Sequence, residues 1–197
     1  LGDVYKRQVP LVAPAKYFDL YDRDAMEAPV VPEDDLEDVP QIIRNYKRNS
    51  TSYGVTPELH KGLLEAYYAS ISYMDAQVGR VLDVLDELEL SENTIVVFTS
   101  DHGYMLGEHH KFQKQHLFEE STRVPFIFSV PWMKKQHGKA TNHITELLDL
   151  YPTLASLAEL EAPNGLQGKS MLSILKDPAS RKWKKDLAFT ISRNGGE

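Results

Sequence analysis

The chain has 197 residues, with 29 acidic side chains against 22 Lys and Arg, a formal charge of −7 with histidine neutral. That length suits one ordinary domain or a large piece of a bigger one, and the negative balance argues against a nucleic-acid surface, which needs clustered cations. Without cysteine there is no disulfide, thiolate metal site or cysteine nucleophile in these residues, and no apolar run reaches transmembrane length.

Leu1 to Gln8 reads as translated adaptor sequence ahead of a partial domain over 9–197, so the native protein is expected to extend upstream. From Val9 to about Tyr53, Pro10, Pro14, Pro29, Pro32 and Pro40 interrupt any sustained periodicity. This stretch predicts a long surface excursion with a few turns. Its acidic run, Glu33, Asp34, Asp35, Glu37 and Asp38, lacks the spacing and glycine of a calcium loop and reads as a solvated turn.

Thr56-Pro57-Glu58 has the pattern of a helix start: an N-cap hydroxyl, proline at the first position and an acid in the first turn. Leu63, Tyr67, Ile71, Met74, Val78, Val81, Leu85 and Leu88 then recur at steps of three and four. They predict one helix of about 30 residues and roughly 45 Å with that stripe in the core, and Asp75 on its flank. Ser91-Glu92-Asn93 ends it, and the run Thr94 to Thr99 predicts a buried strand. A second buried strand is expected over Val124 to Val130. Thr145 to Ala158 has helical spacing broken by Pro152, which predicts two abutting segments or a kink. A short amphipathic stretch over Ser170 to Leu175, a solvated helix face around Arg181-Lys182-Trp183-Lys184-Lys185 and a last strand over Leu187 to Ile191 complete the reading.

The chemistry concentrates after the first strand, in Ser100-Asp101-His102-Gly103 and the loop beyond it. Open α/β sheets bind ligands beyond the carboxyl ends of their strands, which is where Asp101 and His102 stand. A carboxylate followed by an imidazole can share one divalent ion if the backbone turns there, as Gly103 permits; a salt-bridged Asp beside a surface His is the competing reading. Tyr104, Glu108, His109, His110, Lys111, Lys114, His116 and Arg123 crowd the following residues. Lys114 and Arg123 suit the oxygens of a phosphate or sulfate ester, although each taken singly reads as a solvent-exposed charge, whereas His109-His110 and His116 fit no zinc spacing and read as a polar turn.

Ala66 to Leu82, followed by Asn93 to His109, resembles the sulfatases of the alkaline-phosphatase superfamily, nearest to their iduronate-2-sulfatase-like branch. Lys114, Arg123-Val124-Pro125, Leu148 to Leu154 and Gly165 to Ser170 follow at that family's spacings. The resemblance implies an α/β sandwich with a mixed, mostly parallel sheet between helices, here truncated. It also implies cleavage of sulfate esters by a formylglycine nucleophile beside a calcium ion. Asp101 and His102 match two metal ligands, although His is an awkward partner for calcium and keeps a softer metal in play. Lys114 matches the lysine that contacts sulfate near the leaving oxygen, and Tyr104 and His109 fall where substrate would be met. The Cys/Ser-x-Pro-x-Arg nucleophile motif and the upstream Asp pair are absent, so this piece alone is expected to be inactive. The expected partner is a sulfated small molecule or carbohydrate, and the expected location is periplasmic, secreted or lysosomal. The alternatives are a phosphodiesterase or phosphonate hydrolase of the same superfamily, and a noncatalytic binding protein that keeps the fold.

Overall fold

In the computed structural model, residues 11–45 and 54–191 are described. The adaptor-like segment and the final residues lie outside them. The chain divides into two compact units, one built from residues up to Ser91 with His102–Phe126, the other from Glu92–Asp101 with Ile127–Ile191.

The first unit is organised by a 31-residue helix. The excursion before it contains two single turns, α1 (Ala15–Phe18) and α2 (Gln41–Arg44), and then the helix α3 runs Pro57–Glu87. Its start is as the sequence predicts: Thr56 Oγ1 accepts the Leu59 N–H at 3.2 Å, with Pro57 in the first turn. Its buried face is not the predicted stripe. Leu64, Glu65, Ala69 and Ser70 are the fully buried positions, whereas Val81 and Leu88 are exposed. Aromatic residues of the excursion meet α3 between Tyr68 and Tyr73: Tyr17 packs on Tyr73, Tyr21 packs on Tyr68 and the Tyr21 hydroxyl bonds Ser72 at 2.6 Å. Arg23 covers the rim of that face, pairing with the buried Glu65 carboxylate at 2.6 Å. Asp75 is exposed, as a flank position should be.

The second unit begins with a strand, β1 (Val96–Thr99). Two residue pairs later in the chain, β2 (Met105–Leu106) and β3 (Phe112–Gln113), make a small antiparallel ladder in the first unit, with Met105 opposite Gln113 and Leu106 opposite Phe112. A turn of helix, α4 (Glu119–Thr122), then leads to β4 (Phe126–Ser129), which pairs with β1. Neither β1 nor β4 is the fully buried strand expected. β1 is half-buried throughout and β4 alternates, with Ile127 58% exposed, because a two-stranded sheet leaves faces open.

Pro152 causes no kink. A 3₁₀ turn (Leu147–Asp149) abuts α5 (Leu150–Leu157), and Pro152 sits in the first turn of α5, where its missing N–H costs no bond. The segment ends with α6 (Leu172–Lys176), close to the predicted stretch.

Two expectations near the C-terminus fail for one reason. Residues 181–185 are not a helix face, and residues 187–191 form no strand. Trp183 is buried with its indole N–H donating to the Ile144 carbonyl at 2.9 Å, and Lys185 turns inward to Glu146 at 2.7 Å and to both oxygens of the fully buried Asp149. The Phe189 N–H then donates to Glu146 Oε1 instead of to a strand partner.

Burial alone would lower the Lys185 pKa, but its hydrogen bonds to Asp149 and Glu146 outweigh that and raise it; the Lys185 hydrogen bond lowers that of Glu146. The Lys185 contribution to stability is therefore complete below lysine's ordinary range and lost as pH rises through its raised value. That of Glu146 is present above the ordinary carboxylate range and lost as pH falls through its lowered value. Removing one member leaves a buried charge uncompensated, so Lys185→Met should cost about 3–5 kcal/mol in urea unfolding at neutral pH and flatten the alkaline limb of the stability profile. A loss under about 1 kcal/mol would mean that the triad behaves as a surface pair.

Candidate functional site

β1 delivers the chain to Asp101, the last residue of the second unit's first segment, and the next residue, His102, opens a loop of the first unit that runs to Arg123. The loop returns on itself at its base. Gly103 N–H donates to the Ser121 carbonyl at 2.8 Å and Tyr104 N–H to the Glu120 carbonyl at 2.9 Å. A Cβ on residue 103 would lie 1.8 Å from the Glu120 oxygen, so only glycine permits this approach.

Between those ends the backbone is strained. His109, His110, Gln113 and Gln115 all have positive φ, from 53° to 71°, in the left-handed region. Each costs an L-residue about 1–2 kcal/mol. Lys114 sits half-buried between two of them.

The strain is held by contacts from other segments. His60 of α3 bonds the Leu106 carbonyl, and Tyr67 packs its ring on Tyr104 with centroids 5.3 Å apart. His109 stacks on Phe118 at 4.0 Å while its Nδ1 meets Asp35 Oδ2 at 2.9 Å. The buried Lys111 ammonium donates to the Arg44 carbonyl at 2.9 Å, and burial pushes its pKa down. Arg44 itself clasps the acidic turn through the carbonyls of Glu37 and Val39. One carboxylate of that turn, Asp35, is thus recruited inward, contrary to the fully solvated turn expected. His116 is buried, its Nε2 3.1 Å from the Phe112 carbonyl, and is not an exposed polar turn either.

The residues singled out by sequence divide accordingly. Asp101 is exposed. His102 Nδ1 lies 2.7 Å from the Gly103 carbonyl oxygen, which can only accept, so Nδ1 is the donor in that contact. Arg123 is 84% exposed and pairs loosely with Glu119 at 3.8 Å. Among the described residues no three His, Asp or Glu side chains converge on a common point. Two donors alone do not make a divalent-cation site, since calcium takes about six to eight ligands.

A family model described as sulfatase matches residues 16–160. A sulfatase of Formosa agariphila is 37% identical over 174 residues, covering 85% of this chain and 34% of its own length. Iduronate 2-sulfatase of Mus musculus is 40% identical over 140 residues, covering 58% of this chain and 25% of that protein. In structure, a phosphonate monoester hydrolase from Silicibacter pomeroyi superposes with a TM-score of 0.71 at 28% identity, over 89% of this chain and 36% of the other. The chain thus spans about a third or less of the relatives it matches. Its fold is part of the alkaline-phosphatase-like α/β architecture.

The base of the loop gives a direct test. Gly103→Ala should break the two backbone bonds at 103–104 and raise amide exchange at 103–104 by roughly tenfold for every ~1.4 kcal/mol of local stability lost. Unchanged exchange there would mean that the close approach is dispensable.

Proposed function

The chain belongs to the sulfatase family, and from that premise we propose that it is the central segment of an enzyme hydrolysing sulfate esters of carbohydrates. The observation that carries the proposal is the family match over residues 16–160, which spans the whole loop from His102 to Arg123. The sugar is proposed from the likeness to iduronate 2-sulfatase, and a periplasmic, secreted or lysosomal setting from the same family; among the described residues no helix is long and apolar enough to cross a membrane.

Within this reading Asp101 and His102 contribute two ligands to a divalent ion, for which calcium is the proposal. When bound, such an ion supplies Lewis-acid polarisation of a sulfate oxygen. The formylglycine nucleophile of the family would come from outside this chain, which has neither a cysteine nor the Cys/Ser-x-Pro-x-Arg motif.

Lys114 is the group proposed to act on the reacting ester. Its ammonium would hold a sulfate oxygen and offset the charge that builds on the departing ester oxygen as the S–O bond breaks. The left-handed residues on either side of it constrain the backbone that carries the side chain. Tyr104 and His109 are proposed to meet the sugar, and His109 would do so with a ring already oriented by Asp35 and Phe118.

The structural likeness to a phosphonate monoester hydrolase supports a second reading, hydrolysis of phosphonate or phosphate monoesters. The two separate in one experiment. The full-length protein, produced in a host that makes formylglycine, should hydrolyse an aryl sulfate, lose activity to EDTA and regain it with calcium. Lys114→Ala should lower kcat/KM by roughly 10²–10³-fold, the scale of losing one transition-state donor. Preference for an aryl phosphonate would favour the second reading, and wild-type turnover in Lys114→Ala would remove the role given to Lys114.

A further inference from the structure

We infer that His60 is a positioning residue for Lys114, gripping both strands of the short ladder that carries it; the inference rests on the sulfatase reading above. His60 belongs to the first turn of α3, where its N–H closes a helical bond on the Thr56 carbonyl at 2.9 Å. Its side chain is therefore mounted on a capped, rigid element. From there it makes three contacts with the loop.

Its Nε2 bonds the Leu106 carbonyl, and because that oxygen only accepts, the imidazole donates. The ring lies flush against Gly107, whose φ is 124°; a Cβ there would fall 2.5 Å from His60 Cε1. The same ring meets Phe112 edge-on with centroids 5.1 Å apart. Leu106 and Phe112 are opposite one another in the ladder, and Met105 faces Gln113, the residue before Lys114.

The grip is needed because the ladder cannot hold itself. Two residue pairs make too few bonds for a stable hairpin, and Gln113 and Gln115 keep the backbone around Lys114 in a conformation that relaxation would abandon. Glu108 takes the Leu106 N–H at 2.6 Å, so side chains secure both polar groups of that residue, and His60 is the one that ties them to α3. Among the described residues His60 makes no hydrogen bond or ion pair to Lys114. Its effect passes through Leu106, Phe112 and Gln113.

A residue that aims the cation at the leaving oxygen matters most when that oxygen leaves reluctantly. The test compares full-length, formylglycine-bearing, metal-loaded wild type, His60→Ala, His60→Gln and Lys114→Ala on aryl sulfates of falling leaving-group acidity. His60→Ala should lose roughly ten- to a hundredfold in kcat on the poorest leaving group, the scale of a misplaced group, and under about threefold on the best. His60→Gln, which keeps a donor for the Leu106 carbonyl, should recover most of the loss. In the double variant with Lys114→Ala, the first substitution should add little, as expected of groups acting as a unit. An equal loss across the series, no loss, or a fully additive double variant overturns the role of His60 while leaving the sulfatase reading standing. A wild-type enzyme inert to every sulfate ester overturns both.

Discussion

The candidate site depends on a backbone approach that only glycine allows. Where Gly103 meets the Glu120 carbonyl, the loop from His102 to Arg123 closes into a narrow out-and-back path. Everything between must then fit a base two hydrogen bonds wide. The path contains a ladder of two residue pairs and four non-glycine residues at positive φ. A left-handed residue costs about 1–2 kcal/mol and an ordinary hydrogen bond returns about 1 kcal/mol net. The loop's own bonds therefore do not hold it. The balance is met by α3 through His60 and Tyr67 and by the proline-rich excursion through Asp35 and the Arg44 carbonyl.

The second unit solves a similar problem with buried charge. Asp149 has no exposed surface and accepts from Glu146 N–H, Lys169 N–H and the Lys185 ammonium. Four residues on, Thr153 accepts the Met171 N–H while donating to the Asp149 carbonyl. Gly168 permits the return, since a Cβ there would sit 1.9 Å from the Leu148 oxygen. The two segments Leu148 to Leu154 and Gly165 to Ser170 are thus partners of each other. Their side chains make a fold, and no step of chemistry has to be assigned to them.

What can be read from sequence follows from the range of the interactions involved. The start of α3 is legible because Thr56, Pro57 and Leu59 settle it among themselves, and the pair of abutting segments near Pro152 because a proline is accommodated in a helix's first turn whatever its distant partners. Lys185 is not legible. In a run of four cations it reads as solvated charge, and only Glu146 and Asp149, 36 or more positions away, turn it inward. Asp35 hides in the same way, being one of five acids in a short stretch whose inward turn is decided by His109. The buried stripe of α3 is displaced because periodicity gives a face but not the partner that covers it. Asp101 and Lys114 stand out by motif, which fixes identity and spacing; the left-handed residues beside Lys114 leave no mark in composition, since Gln113 and Gln115 are not turn formers.

Three cations occupy this loop, and their surroundings sort them. Lys111 is buried, spends its ammonium on a backbone carbonyl and is pushed toward neutrality by burial. Arg123 is almost fully solvated, where water and salt screen its field. Lys114 is half-buried between two left-handed residues, and on the proposed reading its charge would act on the ester through less than bulk water. Catalytic groups must be held to within about 0.5 Å, a tolerance that helices and strands meet more readily than loops. A loop can meet it when rigid elements take over its polar groups one by one. Here His60 of α3, with Asp35 and the Arg44 carbonyl of the excursion, takes over polar groups of a segment with almost no regular structure.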